Sequence, residues 1–265
     1  MTDDCEQSDT IGYEVYKKLA RYSNGMVYNI RKNGIEKVLL ALRMSMRENY
    51  ATSRLQTIKA GKSDTSLYVD STMTDIDIRL SGEDPKLTIR NPLNEIVTGD
   101  VLSMSYLMIV NIRNPMVGRW TVESESSSGY TVQMGSNSEL KIKYGFSSGA
   151  PNSYEETSVQ PLKGTKTMLS FFISDPSKIG FLSNATLSLQ NDIADTSSRT
   201  RREINPETET NLVLTKKSDH IYITELFDAP EGKFKVQLKG VDSNGNQVGR
   251  LVSTAIESVE PSKLL

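Results

Sequence analysis

The segment Asp75-Ile76-Asp77-Ile78-Arg79-Leu80 alternates charged and apolar side chains, and the turn sequence Ser81-Gly82-Glu83-Asp84-Pro85 follows it directly. Successive side chains of a β-strand point to opposite faces of the sheet. We therefore expect the three apolar side chains to be buried and the three charged side chains to be solvated. Such a half-buried strand is typical of an antiparallel sheet with one face on a core.

Short apolar runs between turns continue this pattern along the chain. The runs are Leu87–Ile89, residues 101–112, Trp120–Val122, Tyr130–Met134 and Leu140–Tyr144. Short strands at close, regular spacing are typical of an antiparallel β-sandwich. The stretch at 147–153, rich in Ser, Gly, Pro and Asn, predicts a domain boundary.

A second strand-rich region follows that boundary. Its predicted strands are Thr167–Ile173, Ala185–Leu189, Leu212–Leu214, His220–Leu226, Lys233–Lys239 and Val248–Ile256. Asp242-Ser243-Asn244-Gly245-Asn246 contains an Asn-Gly pair, the strongest short hairpin signal. We expect a second β-sandwich here.

The first fifty residues have helical rather than strand periodicity. A helix is predicted over Tyr13–Tyr22, with a stop at Asn24-Gly25 where the glycine suits the left-handed position, and a short strand over Met26–Ile30. A second helix, capped by Asn33, carries one apolar stripe, formed by Ile35, Val38, Leu39, Leu42 and Met46. The segment reads as an α/β remnant that lacks its own sheet.

The predicted fold class is therefore mainly β: two tandem antiparallel β-sandwiches preceded by an α/β remnant. The predicted domains are residues 1–50, 51–148 and 153–260. Between 191 and 210 the chain is polar and predicts a long loop.

Composition excludes several function classes. With 31 Lys and Arg against 33 Asp and Glu, the net charge of -2 disfavours nucleic-acid binding. One cysteine, Cys5, and one histidine, His220, cannot form a four-ligand zinc site or a disulfide framework. No apolar run is long enough to insert in a membrane, and residues 1–6 do not have the pattern of a secretory signal, which by itself indicates the cytoplasm.

Few residues carry chemistry. Asp75 and Asp77 could act as an acid/base pair, but beside Arg79 a solvated, charged strand face is the better interpretation. The loop from Asp242 lacks the glycine and glutamate of an EF-hand, which leaves a hairpin turn. His220 has no partner for catalysis in the sequence, and Trp120 is expected in a sandwich core rather than exposed to stack on a sugar. No catalytic, metal or cofactor site is predicted.

Two motifs are candidate sites of covalent modification or proteolytic processing, and each also has a simpler explanation. Asn184-Ala185-Thr186 is an N-glycosylation sequon, so Asn184 is a candidate acceptor, although such triplets also occur by chance. The basic residues Arg199, Arg201 and Arg202 could form a processing site, although a solvated, charged loop explains them as well.

Several phrases of the sequence resemble the hemicentin family. Residues 16–28 and 35–42 are similar to the last helices and strand of a von Willebrand factor A domain. The likeness continues through the phrases at 68–71, 78–82, 85–89, 91–92, 118–120, 127–132, 145–147, 161–164 and 240–245, so that it covers residues 11 to 258. No segment matches the metal-adhesion motif Asp-x-Ser-x-Ser of the A domain.

This resemblance implies a galactose-binding-like jelly roll for the first sandwich and an immunoglobulin-like fold for the second. It also implies a non-enzymatic fragment of a hemicentin-like secreted glycoprotein, with an adhesive or structural function in the extracellular matrix or at the cell surface, acting through protein–protein contacts. Its partners would be extracellular matrix or cell-surface proteins, with glycan binding by the first sandwich as the alternative function. An enzyme would need His220 in a pocket with a nucleophile and an acid.

Overall fold

The computed structural model describes residues 11–28, 34–45, 50–58, 60–190 and 209–260. The fold is mainly β with several antiparallel sheets, as predicted. The chain divides into two units: the first comprises Met1–Glu139 and Asn246–Arg250, and the second comprises Leu140–Gly245 and Leu251–Leu265. The boundaries predicted at 50, 148 and 153 remain predictions.

Two helices open the described chain: α1 at Ile11–Tyr22 and α2 at Ile35–Ser45. The residue that takes the left-handed conformation after α1 is Asn24, with a φ of 57°, and not Gly25 as predicted. Asn can take this conformation because its short polar side chain bonds locally. The predicted strand at 26–30 is also wrong where it is described, since residues 26–28 are not in a strand.

The apolar stripe of α2 is only partly buried. Val38 packs against Leu107 and Ile109, whereas Ile35, Leu39 and Leu42 are exposed. The remaining stripe residue, Met46, and the predicted cap, Asn33, lie outside the described residues.

Among the described residues, eight strands form two sheets in the first unit. Their bounds are β1 Tyr50–Ile58, β2 Gly61–Val69, β3 Met73–Ser81, β4 Lys86–Arg90, β5 Asp100–Met104, β6 Leu107–Arg113, β7 Gly118–Ser126 and β8 Tyr130–Ser138. One sheet has the order β1-β8-β3-β6-β5 and the other has the order β2-β7-β4, both antiparallel. The run predicted at 101–112 is a hairpin of two strands, because a turn at Ser105-Tyr106 interrupts it.

The inner faces of these sheets form one apolar core. Ile76, Ile78 and Leu80 are completely buried in it, as their alternation predicts. Trp120 is buried in the same core, also as predicted, and its indole Nε1 donates to the carbonyl of Met116 at 2.7 Å. The indole N–H thus has its hydrogen-bond partner inside the fold, and the buried ring cannot stack on a ligand.

The second unit is also built from antiparallel strands. Their bounds are β9 Ile142–Ser147, β10 Lys166–Ile173, β11 Ile179–Leu189, β12 Glu209–Val213, β13 Thr215–Ser218, β14 Ile221–Ile223, β15 Phe227–Asp228 and β16 Phe234–Asp242. The last strand, β17 at Gln247–Leu251, lies mostly in the segment that belongs to the first unit. Short 3-10 helices occur at Tyr154–Glu156 and Pro176–Lys178.

Pairing around two central strands organises the second unit. β10 pairs with β9 on one side and with β14 and β15 on the other, whereas β11 lies between β12 and β16. The strand predicted at Leu140–Tyr144 is β9, and its partner β10 lies in this unit. The predicted turn is present: Gly245 has a φ of 83° and its N–H donates to the carbonyl of Asp242 at 3.0 Å.

Candidate contact surface and buried ion pairs

The outer face of β3 carries a buried ion pair. Asp77 and Arg79 are each 2% exposed, and Arg79 Nε donates to the Asp77 carboxylate. Asp75 is also buried. The prediction of a solvated, charged face is therefore wrong. Buried carboxylates of this kind do not line an open cleft where a substrate could reach them.

Residues 24–28 cover this face. Arg79 Nη1 donates to the Tyr28 hydroxyl at 3.2 Å, and Ser81 Oγ donates to the Val27 carbonyl at 2.7 Å. Gln133 Nε2 donates to the Asn24 carbonyl at 2.6 Å. Backbone groups of the covering segment are satisfied by side chains of the sheet instead of by a strand ladder.

A second buried ion pair joins Asp70 and Arg250. The Asp70 side chain is 0% and the Arg250 side chain 3% exposed, and Arg250 Nη2 lies 2.7 Å from Asp70 Oδ2. Asp70 Oδ1 accepts hydrogen bonds from the amide and hydroxyl of Thr72 at 3.0 and 2.6 Å. Arg250 Nη2 also donates to Thr72 Oγ1 and to Ser138 Oγ. This polar cluster is enclosed in the first unit, and nothing in the sequence pattern identified either charged residue.

Apolar side chains are exposed where β2 and β4 end and β7 begins. We call this surface the apolar tip; its members are 36% to 65% exposed and are Tyr68, Leu93, Ile96, Met116 and Val117. The strand register places the contributing loops together, because Val69 pairs with Gly118. A Cβ at Gly118 would collide with the ring of Pro92, and the glycine has a φ of 131°, so the two loops meet there without room for a side chain.

Internal hydrogen bonds hold the loop that carries Leu93. Asn91 Oδ1 accepts from the amides of Leu93 and Glu95, both at 3.0 Å. Asn91 Nδ2 donates to Glu95 Oε2 at 2.8 Å, and Asn94 takes a left-handed φ of 64°. The loop thus presents Leu93 on a fixed backbone. Sequence reasoning missed this residue, although an apolar side chain between two asparagines of a turn is the signal that could have found it.

Of the remaining predicted residues, the structure describes His220 and Asn184, which lie on different elements. His220 is exposed, and its Nδ1 lies 2.9 Å from the Ile173 carbonyl. Asn184 is half-buried in β11, with strand partners on both sides, and Thr186 of its sequon is completely buried. Cys5, Arg199, Arg201 and Arg202 lie outside the described residues.

The described part of the chain has neither a metal-binding cluster nor a membrane-spanning helix. Among the side chains placed there, His, Cys, Asp and Glu residues form no group of three that could hold a metal ion. No helix in the described ranges is long and apolar enough to cross a membrane.

Comparison with known proteins matches the first unit to one family. Residues 52–139, about a third of the chain, match the hemicentin galactose-binding domain-like family. The chain is similar to hemicentin-1 of Homo sapiens, with 27% identity over 71% of the chain, and to hemicentin-2 of Mus musculus, with 22% identity over 98%. It spans only 4% and 5% of the length of these relatives.

Two solved structures are similar at lower levels. A Bacillus licheniformis lipase, BlEst2 in propeptide form, has 11% identity and a TM-score of 0.37 over 84% of this chain and 46% of its own. A DUF4785 family protein from Legionella pneumophila has 10% identity and a TM-score of 0.42 over 78% of this chain and 62% of its own. Neither structure is similar enough to indicate a fold or a function for this chain.

Proposed function

We propose that this chain is a non-enzymatic part of an extracellular matrix or cell-surface protein and acts through protein–protein contacts. The observation that carries the proposal is the match of residues 52–139 to the hemicentin galactose-binding domain-like family. The modest similarity to hemicentins along the rest of the chain supports it. The finer assignments belong to this proposal: an A-domain remnant at 1–50, a galactose-binding-like sandwich at 51–148 and an immunoglobulin-like sandwich at 153–260.

The apolar tip is the proposed contact surface. Protein interfaces centre on a few apolar side chains surrounded by polar groups. Leu93 and Ile96 meet this description, because both are exposed and flank Asn94 and Glu95. The hydrogen bonds of Asn91 fix the loop before a partner binds, which lowers the entropy lost on association.

The disposition of charged groups supports contact rather than catalysis. The carboxylates of Asp70 and Asp77 are held in buried ion pairs. The pairs on the outer face of β7, such as Arg90 with Glu123 at 3.0 Å, are partly exposed and neutralise each other on the sheet surface. Such pairs are a poor arrangement for acid/base chemistry, which needs perturbed groups in a cavity.

The test is binding of the full chain to an immobilised extracellular-matrix extract. Replacing Leu93→Ser and Ile96→Ser together should weaken binding by about tenfold or more, the loss typical of central interface residues. Val213→Ser is the matched control, because Val213 is 76% exposed on β12 and should leave binding unchanged. Absence of binding by the natural chain, or equal binding by both variants, would contradict the proposal.

The same assay distinguishes protein binding from the alternative function, carbohydrate binding. Enzymatic deglycosylation of the extract should leave binding intact if the apolar tip contacts protein. Binding that disappears with the glycans, and is indifferent to Leu93 and Ile96, would instead assign carbohydrate recognition to the chain.

A further inference from the structure

β2 is a long, regular strand at the end of its sheet. Among the strands that the structure describes it pairs only with β7, in the order β2-β7-β4, and all nine residues keep one register, from Gly61 opposite Ser126 to Val69 opposite Gly118. The terminal strand of a sheet presents backbone N–H and C=O groups along its outer side, where another strand can pair.

Three other terminal strands carry features that oppose such pairing. The opposite terminal strand, β4, has only five residues and stands between Pro85 and Pro92. The register of β1 shifts between Thr52 and Arg54, and that of β13 shifts between Lys216 and Ser218. Short length, nearby prolines and bulges are common protections of sheet edges. β2 contains neither a proline nor a register shift, and its charged side chains are those of Lys62 and Asp64.

We infer that β2 pairs antiparallel with β2 of a second copy of this chain, with the twofold axis at Thr65, so that two three-stranded sheets become one six-stranded sheet. The strand is self-complementary in this register. On the outer face, Lys62 lies opposite Tyr68 of the other copy, where the ammonium can approach the aromatic ring. Asp64 lies opposite Ser66 of the other copy, so no like charges face each other.

Neighbouring registers are less favourable. An axis at Asp64 would place the two Asp64 carboxylates directly opposite each other, which is destabilising. An axis at Ser66 would leave Gly61 and Lys62 beyond the end of the partner strand. The register centred on Thr65 is therefore favoured, because it avoids repulsion between the Asp64 carboxylates and pairs the full length of both strands.

Sedimentation equilibrium of the full chain tests this inference through two opposite substitutions at Ser66. Ser66→Asp places a carboxylate opposite Asp64 at two symmetric positions and should weaken dimerisation about fivefold. Ser66→Lys places an ammonium there and should strengthen dimerisation by a similar factor. The side chain of Ser66 faces outward and accepts hydrogen bonds from Arg119, so neither change enters the core.

Thr88→Asp and Thr88→Lys on β4 are the matched controls, because Thr88 lies on the opposite terminal strand of the same sheet. They should leave association unchanged, and circular dichroism should show that all variants are folded. A chain that stays monomeric up to about 1 mM would overturn the inference. So would Ser66 variants that shift association in the same direction, or Thr88 variants that match them. Capture of a strand from a different protein would leave this chain monomeric and is thus among the contradicting outcomes.

Discussion

Asp77 and Arg79 lie two residues apart on β3 and form an ion pair whose side chains are each only 2% exposed. Residues at this spacing share one face of a strand. Here that face is turned away from the apolar core and is covered by Tyr28, whose hydroxyl accepts from Arg79. The pair therefore depends on the covering segment for its burial.

Removing one member of this pair should destabilise the first unit strongly. We expect Arg79→Met to lower the free energy of unfolding by about 3 to 5 kcal/mol, because it leaves the Asp77 carboxylate buried without its partner. The double variant Asp77→Leu with Arg79→Met should be less destabilised. Urea titration followed by fluorescence of Trp120 measures the free energy of unfolding of each variant. A double variant no more stable than Arg79→Met would contradict the prediction.

Arg250 should stabilise the first unit although it lies far along the chain from the other residues of that unit. Arg250→Met leaves Asp70 buried without its cation, with an expected cost of about 3 to 5 kcal/mol. Because the single tryptophan, Trp120, is in the core of the first unit, its fluorescence reports on this unit. The control is Arg113→Met, since the pair of Arg113 with Asp100 is mostly exposed and should contribute less than about 1 kcal/mol. Equal effects of both substitutions would refute the role of Arg250.

Asp175 should titrate below the usual range of an aspartate. The hydroxyl of Ser177 donates to Asp175 Oδ1 at 2.6 Å and lowers the pKa of Asp175, and the Ser177 amide donates to the same oxygen. A lowered pKa in the folded state stabilises the fold above the unfolded pKa of about 3.9. This stabilisation is lost as pH falls through the folded pKa.

Nuclear magnetic resonance titration of the Asp175 carboxyl group measures whether its pKa is lowered in the folded chain. Ser177→Ala should raise the pKa of Asp175 towards its ordinary value, because it removes the hydroxyl and keeps the amide. An Asp175 pKa that is ordinary in the natural chain, or unchanged in the variant, would contradict this explanation.

Glycosylation at Asn184 should require a chain that has not yet folded. Asn184 pairs with residues of β12 and β16, and the Thr186 hydroxyl donates to Asn211 Oδ1 at 2.8 Å within the sheet. We expect oligosaccharyltransferase to modify a peptide spanning residues 179–189 but not the folded chain, as measured by mass spectrometry. Efficient modification of the folded chain would show that β11 opens readily.

The sequence predicted which residues share a strand face, but not what covers that face. The alternation around Ile78 correctly placed Ile76 and Leu80 in the core, because period two follows from strand geometry alone. It failed for Arg79, because burial of the outer face depends on a segment about fifty residues earlier. Such a contact leaves no periodic signal in either segment.

The candidate surface was less predictable for a similar reason. Asn91-Pro92 indicates a turn, yet the exposure of Leu93 depends on where that turn meets the loop before Gly118. Likewise, Asp70 and Arg250 have no common motif, because their contact is made only in the folded chain. Local chemistry predicted the elements, and tertiary contacts determined the site.

Hydrogen exchange of the bound chain tests the central claim most directly. We expect a saturating extracellular-matrix extract to slow amide exchange in residues 91–97 and 114–117, with little change on the outer strands of the second unit. Protection found only outside these two loops, or no protection at saturation, would contradict a contact function for the apolar tip.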